Sequence, residues 1–227
     1  MGGKKQQPFL VKDCALITLA TGLRAQNLRE LRDRIQQCPL QSIEHHFFFS
    51  QLQPSFDDPE YRNDFALWAR HALHDRPLAE RLGVLDPLKY ADLEGLRSTL
   101  LDVVEERLSE SETVPWAATR QEFAFLRSQI VVFDTGMRAD SLAGLAELIP
   151  HLSTGSVFYH FVEARRRVPG RLDDFRAWLD CAGPSAAELC ARLATINYYF
   201  LSLSELREQL AEIFGEIVGK EPGRAQR

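Results

Sequence analysis

The 227 residues include only four cysteines, two methionines and three tryptophans, and no apolar run approaches the length of a bilayer span. A transmembrane helix, which takes about 18 or more apolar residues, is therefore not expected. Cys14, Cys38, Cys181 and Cys190 form no CxxC pair and have no histidine at ligand spacing, which excludes the common zinc and dithiol motifs. They read as small buried side chains in a reducing compartment. Met1–Gln7 is basic, but no secretory hydrophobic region follows before Lys12 and Asp13, so a cytoplasmic location is expected. No glycine-rich phosphate loop and no nucleophile elbow is present. No cofactor and no metal is expected. The formal net charge of −5 weighs against broad nucleic-acid binding, which needs a basic surface. Arg165-Arg166-Arg167, followed by Arg171, is the local exception.

What is there is repetition. With Thr21 set against Thr135, ten residues coincide over 27 positions, where composition alone gives about two. They are Thr21/Thr135, Gly22/Gly136, Arg24/Arg138, Ala25/Ala139, Leu28/Leu142, Leu31/Leu145, Ile35/Ile149, Ser42/Ser156, His46/His160 and Phe47/Phe161. After a four-residue gap the match resumes at Asn63-Asp64-Phe65-x-x-Trp68 against Asp173-Asp174-Phe175-x-x-Trp178. It ends at Leu93-x-x-Leu96-Arg97 against Leu203-x-x-Leu206-Arg207.

Helix signals recur in the same order. Asn27 and Ser141 are candidate N-caps ahead of Leu28/Leu31/Ile35 and Leu142/Leu145/Ile149, both at helical spacing. Phe65, Trp68, Ala69 and Ala72 form a stripe that should bury. The longest helices are expected at about 92–108 and 202–218. The segment before each Thr-Gly is ambiguous: Cys14–Ala20 suits a helix, and the β-branched Ile130-Val131-Val132 suits a strand. The expected fold is mainly α, two tandem helical repeats related by a pseudo-two-fold, with short strands before each Thr-Gly turn. Expected boundaries are a tail at 1–8, a first repeat at 9–108, a linker at 109–122, a second repeat at 123–218 and a tail at 219–227.

The order Thr-Gly, Leu-x-x-Leu, His-Phe, Asn-Asp-Phe-x-x-Trp and Leu-Ala-Glu-x-Leu resembles a small helical module of prokaryotic proteins. From about Phe9 to Val218 the chain resembles an uncharacterised bacterial two-repeat domain-of-unknown-function family. The second copy departs from the pattern at Asp173, which stands where the first has Asn63. The resemblance implies a soluble cytosolic accessory protein and supplies no reaction.

Two constellations could carry chemistry. Ser42, His46 and Asp64 recur as Ser156, His160 and Asp174, and serine and histidine four apart share a helix face. A hydrolytic triad could be built from them, but Ile43 and Phe47 flank the histidine and direct it to the core. These six residues therefore read as a structural polar core, each histidine paired with its aspartate. His45-His46 and His71-x-x-His74 lack the further ligands a zinc site requires. The second constellation is Thr21-Gly22-x-Arg24 with Thr135-Gly136-x-Arg138, where a glycine turn ahead of a capped helix could hold a phosphate or carboxylate.

The function expected first is a non-enzymatic binding or regulatory module with a protein partner. The alternatives are an enzyme or sensor for a small anionic ligand, such as a phosphorylated sugar held between the repeats, and a DNA-binding regulator using Arg165–Arg171. Neither nucleic acid nor membrane is an expected partner of the first reading.

Overall fold

A computed structural model describes residues 7–52, 60–110, 119–179 and 184–219. The tail up to residue 6, the linker residues 111–118, Cys181 and the tail from Lys220 lie outside the described residues. The expected mainly helical pair of tandem repeats is corrected to a mixed α/β fold. Two strands of 17 residues each, β1 (Phe9–Ala25) and β2 (Phe123–Ala139), form a two-stranded sheet. Val11 meets Thr135 and Phe125 meets Thr21, so one strand advances as the other retreats and the pairing is antiparallel. The strands are long because Thr-Gly does not end them. Gly22 and Gly136 have φ of +84° and +76°, conformations open to glycine, and the chain continues extended to Ala25 and Ala139. Such a residue within a ladder gives the local kink of a bulge, where a turn was expected.

The chain divides into two compact units, one of residues 16–130 and the other of residues 1–15 with 131–227. In the first, α1 (Leu28–Gln37) and α2 (Leu40–Phe47) precede α3 (Asp64–His71), α4 (Arg76–Gly83) and α5 (Leu93–Ser109). Side-chain caps start four of them: Asn27 accepts from Glu30 N–H, Asn63 from Ala66, Asp75 from Leu78 and Asp92 from Gly95. The core joins Leu31 and Ile35, Ile43 and Phe47, Phe65 and Trp68, and Leu96, Leu100 and Val104, all buried. Phe123 and Phe125 from the start of β2 complete it.

The other unit contains α6 (Leu142–Leu148), then α7 (Thr154–Val157), which runs through a π-helical turn at Phe158–Glu163 into α8 (Ala164–Arg167). α9 (Asp174–Leu179), α10 (Pro184–Ala194) and α11 (Leu203–Gly219) follow. Ser202 and Glu205 cap α11 reciprocally, each backbone N–H bonded to the other's side chain. Phe161, Phe175, Leu189, Leu210 and Phe214 are fully buried. Phe9 and Val11, from the start of β1, fill this core as Phe123 and Phe125 fill the other. β1 thus begins in the unit whose helices lie far from it in sequence, and β2 in the unit whose helices precede it. Among the described residues no helix is long and apolar enough to cross a membrane.

Candidate functional site

Each unit contains a histidine held at both ring nitrogens. In the unit of residues 16–130, His46 on α2 has Nδ1 at 2.7 Å from Asp64 Oδ2, and its Nε2 accepts the Leu126 N–H at 3.1 Å. In the other, His160 Nδ1 lies 2.7 Å from Asp174 Oδ2, and its Nε2 accepts the Lys12 N–H at 2.8 Å. The backbone N–H fixes the tautomer: Nε2 must be bare, so Nδ1 carries the proton and donates it to the aspartate. Both aspartates are the first residue of their helix, α3 or α9, where carboxylates are favoured by the helix dipole. Each imidazole therefore links a strand backbone to a helix start.

An aromatic clamp surrounds each link. Phe123 stacks on Phe65 at 4.9 Å and tilts against His46 at 4.7 Å. Phe9 stacks on Phe175 at 5.2 Å and tilts against His160 at 4.9 Å. The Trp68 indole N–H donates to the Gln121 carbonyl at 2.7 Å, and the Trp178 N–H to the Gln7 carbonyl at 2.7 Å. A bare carbonyl, a phenyl ring and a strand N–H are thus read in the same order in both units. The motif match from Thr21 onward does not reach these residues. The signal was present, because Gln7 and Phe9 match Gln121 and Phe123 at the same spacing as Thr21 and Thr135.

The serines stand apart from this relay. Ser42 and Ser156 are buried, but neither hydroxyl bonds the histidine four residues on; Ser156 Oγ instead meets Ser153 Oγ at 3.1 Å. With Nε2 occupied by a backbone N–H, neither imidazole is placed to take a proton from a nucleophile. His45, His46 and Asp64 present donor atoms within 4.8 Å of one another, all buried. A cation on His46 Nδ1 would move the proton to Nε2, facing the Leu126 N–H donor to donor. The cluster is built as a hydrogen-bond relay. His45 Nδ1 lies 2.5 Å from Ser128 Oγ, and burial, with a smaller contribution from His46, pushes its pKa down to about 4.

The Thr-Gly residues lie within strands rather than in turns that open helices. Thr21 Oγ1 donates to the Phe125 carbonyl at 2.7 Å and accepts the Leu23 N–H at 3.2 Å. Thr135 does the same with Val11 and Met137 at 2.6 and 3.2 Å. The Gly136 N–H goes to Asp134 Oδ1 at 2.8 Å. Arg24, largely exposed, pairs with Glu122 at 2.8 Å; Arg138 is exposed. These donors do not converge on a shared point as an anion cradle requires.

The arginine run is folded into its own unit. Arg165 is mostly buried, lies over Phe161 at 4.2 Å and bonds Asp173 and the Leu193 carbonyl at 3.3 and 2.9 Å. Arg167 lies over Tyr159 at 4.2 Å and bonds Asp174 at 2.5 Å. Arg166 pairs with Glu163 at 3.3 Å.

A profile for a family of unknown function, DUF5752, matches residues 6–215. The chain belongs to the DUF5752 family. Among solved structures, this DUF5752 chain is similar to OrfY from Thermoproteus tenax, with 29% identity and a TM-score of 0.76. The match covers 95% of this chain and 98% of that one. No curated protein matches. The DUF5752 likeness extends over both units and both histidine relays.

Proposed function

We propose that the protein is a binding module that takes an extended segment of a protein partner along the β1–β2 ribbon. One observation carries this reading: among the described residues the sheet has two long strands, which leaves an outer edge on each, and both strands expose large apolar side chains. On β1 these are Leu10, Ile17 and Leu19; on β2 they are Val131, Val132 and Phe133, each 38–48% exposed. Exposed edges are usually blunted by charge or proline, and an apolar one is a template for strand addition. Main-chain hydrogen bonds would supply the binding and the apolar side chains its register. A catalytic reading gains no comparable support, because both imidazoles have each ring nitrogen engaged.

The test is a photo-crosslinking residue at Ile17, and separately at Phe133, in the full chain in cells. A single protein adduct at each site, lost on adding Leu19→Lys or Val131→Lys, is the expected result. Adducts that persist unchanged in those lysine variants, with circular dichroism unaltered, would sink the reading.

A further inference from the structure

We propose that a pocket between α10 and α11 binds a small organic amine. Glu212 and Gln209 take its ammonium group, and its apolar body lies on Ile196, Leu201 and Ile213. The pocket belongs wholly to the unit of residues 1–15 and 131–227 and uses neither strand, so it is independent of the ribbon reading. Its volume is about 360 Å³, within the usual range for small-molecule sites. Ile196 and Ile213, each 5% exposed, and the half-buried Leu201 form its apolar wall.

Unspent hydrogen-bonding capacity in the lining selects the ligand. Gln209 Oε1 is shut from solvent with no hydrogen-bond partner among the described residues, so turning the amide to offer that oxygen to a ligand gives up no bond at that atom. Glu212 is exposed at the rim, and among the described residues its carboxylate makes no ion pair. Arg192 also lines the pocket, but Glu216 holds its guanidinium at 2.6 Å, so the uncompensated charge is negative. Thr195 Oγ1 donates to the Arg192 carbonyl at 2.8 Å, which leaves its oxygen to accept. Three acceptors thus line one pocket, and an ammonium group has three N–H donors and nothing to accept with. A carboxylate or phosphate would instead meet Glu212 as a like charge.

The matching place in the other unit is filled differently. Arg81 pairs with Glu106 there as Arg192 pairs with Glu216, so the tie between the two helices is common to both. In the sequence match Val84 stands for Thr195 and Thr99 for Gln209. Thr99 Oγ1 is satisfied by the Gly95 carbonyl at 3.2 Å. The unpartnered amide is therefore no requirement of packing these two helices together.

The probes are phenethylamine, its neutral counterpart phenethyl alcohol and the anion 3-phenylpropanoate. Each is titrated into the full chain at low ionic strength and followed by backbone amide NMR shifts. Saturable shifts at residues 195–197, 209, 212 and 213 are expected with phenethylamine, with weaker binding of the alcohol and the weakest of the anion. Glu212→Gln, at an exposed position, should keep the parent melting temperature and weaken the amine about threefold, the scale of a charge pair at a surface. Gln209→Met, similar in size and without the amide, should weaken it as well. The proposal is overturned if the alcohol or the anion binds as tightly as the amine, or if either variant keeps the parent affinity. It is equally overturned if phenethylamine gives no saturable shifts at those amides.

Discussion

Arg165 and Asp173 form a buried ion pair that does the work of a single amide in the other unit. Asn63 caps α3 through Oδ1 and donates its Nδ2 to the Leu82 carbonyl at 3.0 Å. Asp173 keeps the cap, accepting the Arg176 N–H at 2.9 Å, but a carboxylate has nothing to donate. Arg165 supplies the donor, reaching both Asp173 and the Leu193 carbonyl. Leu193 stands where Leu82 does in the sequence match, so the departure at Asp173 is balanced by an arginine that the sequence showed as part of a basic run.

Arg165→Ala should therefore cost about 3 kcal/mol, since removing one partner of a buried pair strands the other. Arg176 remains on Asp173 at 2.6 Å and keeps the loss from being larger. Adding Asp173→Asn restores an amide that can reach Leu193 itself. In a double-mutant cycle by urea unfolding, the pair should be more stable than Arg165→Ala alone by over about 1 kcal/mol. Additive losses would mean that Arg165 acts only by packing on Phe161 and Tyr198.

The large aromatic positions should differ between the units. Trp68 is 2% exposed, and Trp68→Ala should cost about 3–5 kcal/mol, the usual loss for an emptied aromatic site. Trp178 is only half-buried, so Trp178→Ala should cost less while still freeing the Gln7 carbonyl. Equal shifts in chemical denaturation would contradict this ordering.

Much of the local structure was legible. Asn27 and Ser141 bond amides within three residues, which is why side-chain type and spacing reveal caps. The strands were less so. Leu16–Ala20 is apolar without alternation, and glycine at 22 looks like a stop until its φ shows a kink inside a ladder. His46 and Asp64 were grouped by their motifs, but the atom that fixes the imidazole is the Leu126 N–H, and a backbone donor leaves no mark on residue identity. Arg24 stood as a candidate anion ligand because its partner, Glu122, lies 98 residues away.

Acid should weaken the fold through His45. In the unfolded chain this imidazole takes its proton near 6.5, and in the folded protein burial delays it to about 4. Between those values the unfolded state binds more protons, so the stabilisation is whole above about pH 6.5 and drains away as pH falls to 4. A displacement of that size corresponds to about 3 kcal/mol. His45→Gln, which can still bond Ser128 but does not titrate, should flatten that part of the stability–pH curve. An unchanged slope between pH 6.5 and 4 would assign the acid sensitivity to another group.

Two glycines separate conformational from steric need. At Gly22 an added Cβ meets nothing within 4 Å, so Gly22→Ala should suffer only the backbone penalty of φ +84°, about 1–2 kcal/mol. Gly155 has no such φ, yet its Cβ would press on Asp13 and lie 2.6 Å from the Cys14 carbonyl, which is backbone and cannot swing aside. Gly155→Ala should therefore push residues 13–14 off α7 and loosen the strand segment that His160 and Trp178 hold. Its loss in melting temperature should exceed that of Gly22→Ala. Amide exchange should rise at Lys12 and Cys14, whose N–H groups bond His160 and Asp13. In Gly22→Ala those two amides should stay as protected as in the parent. Faster exchange there in Gly22→Ala, or none in Gly155→Ala, would show that the segment is not seated on the start of α7 as described.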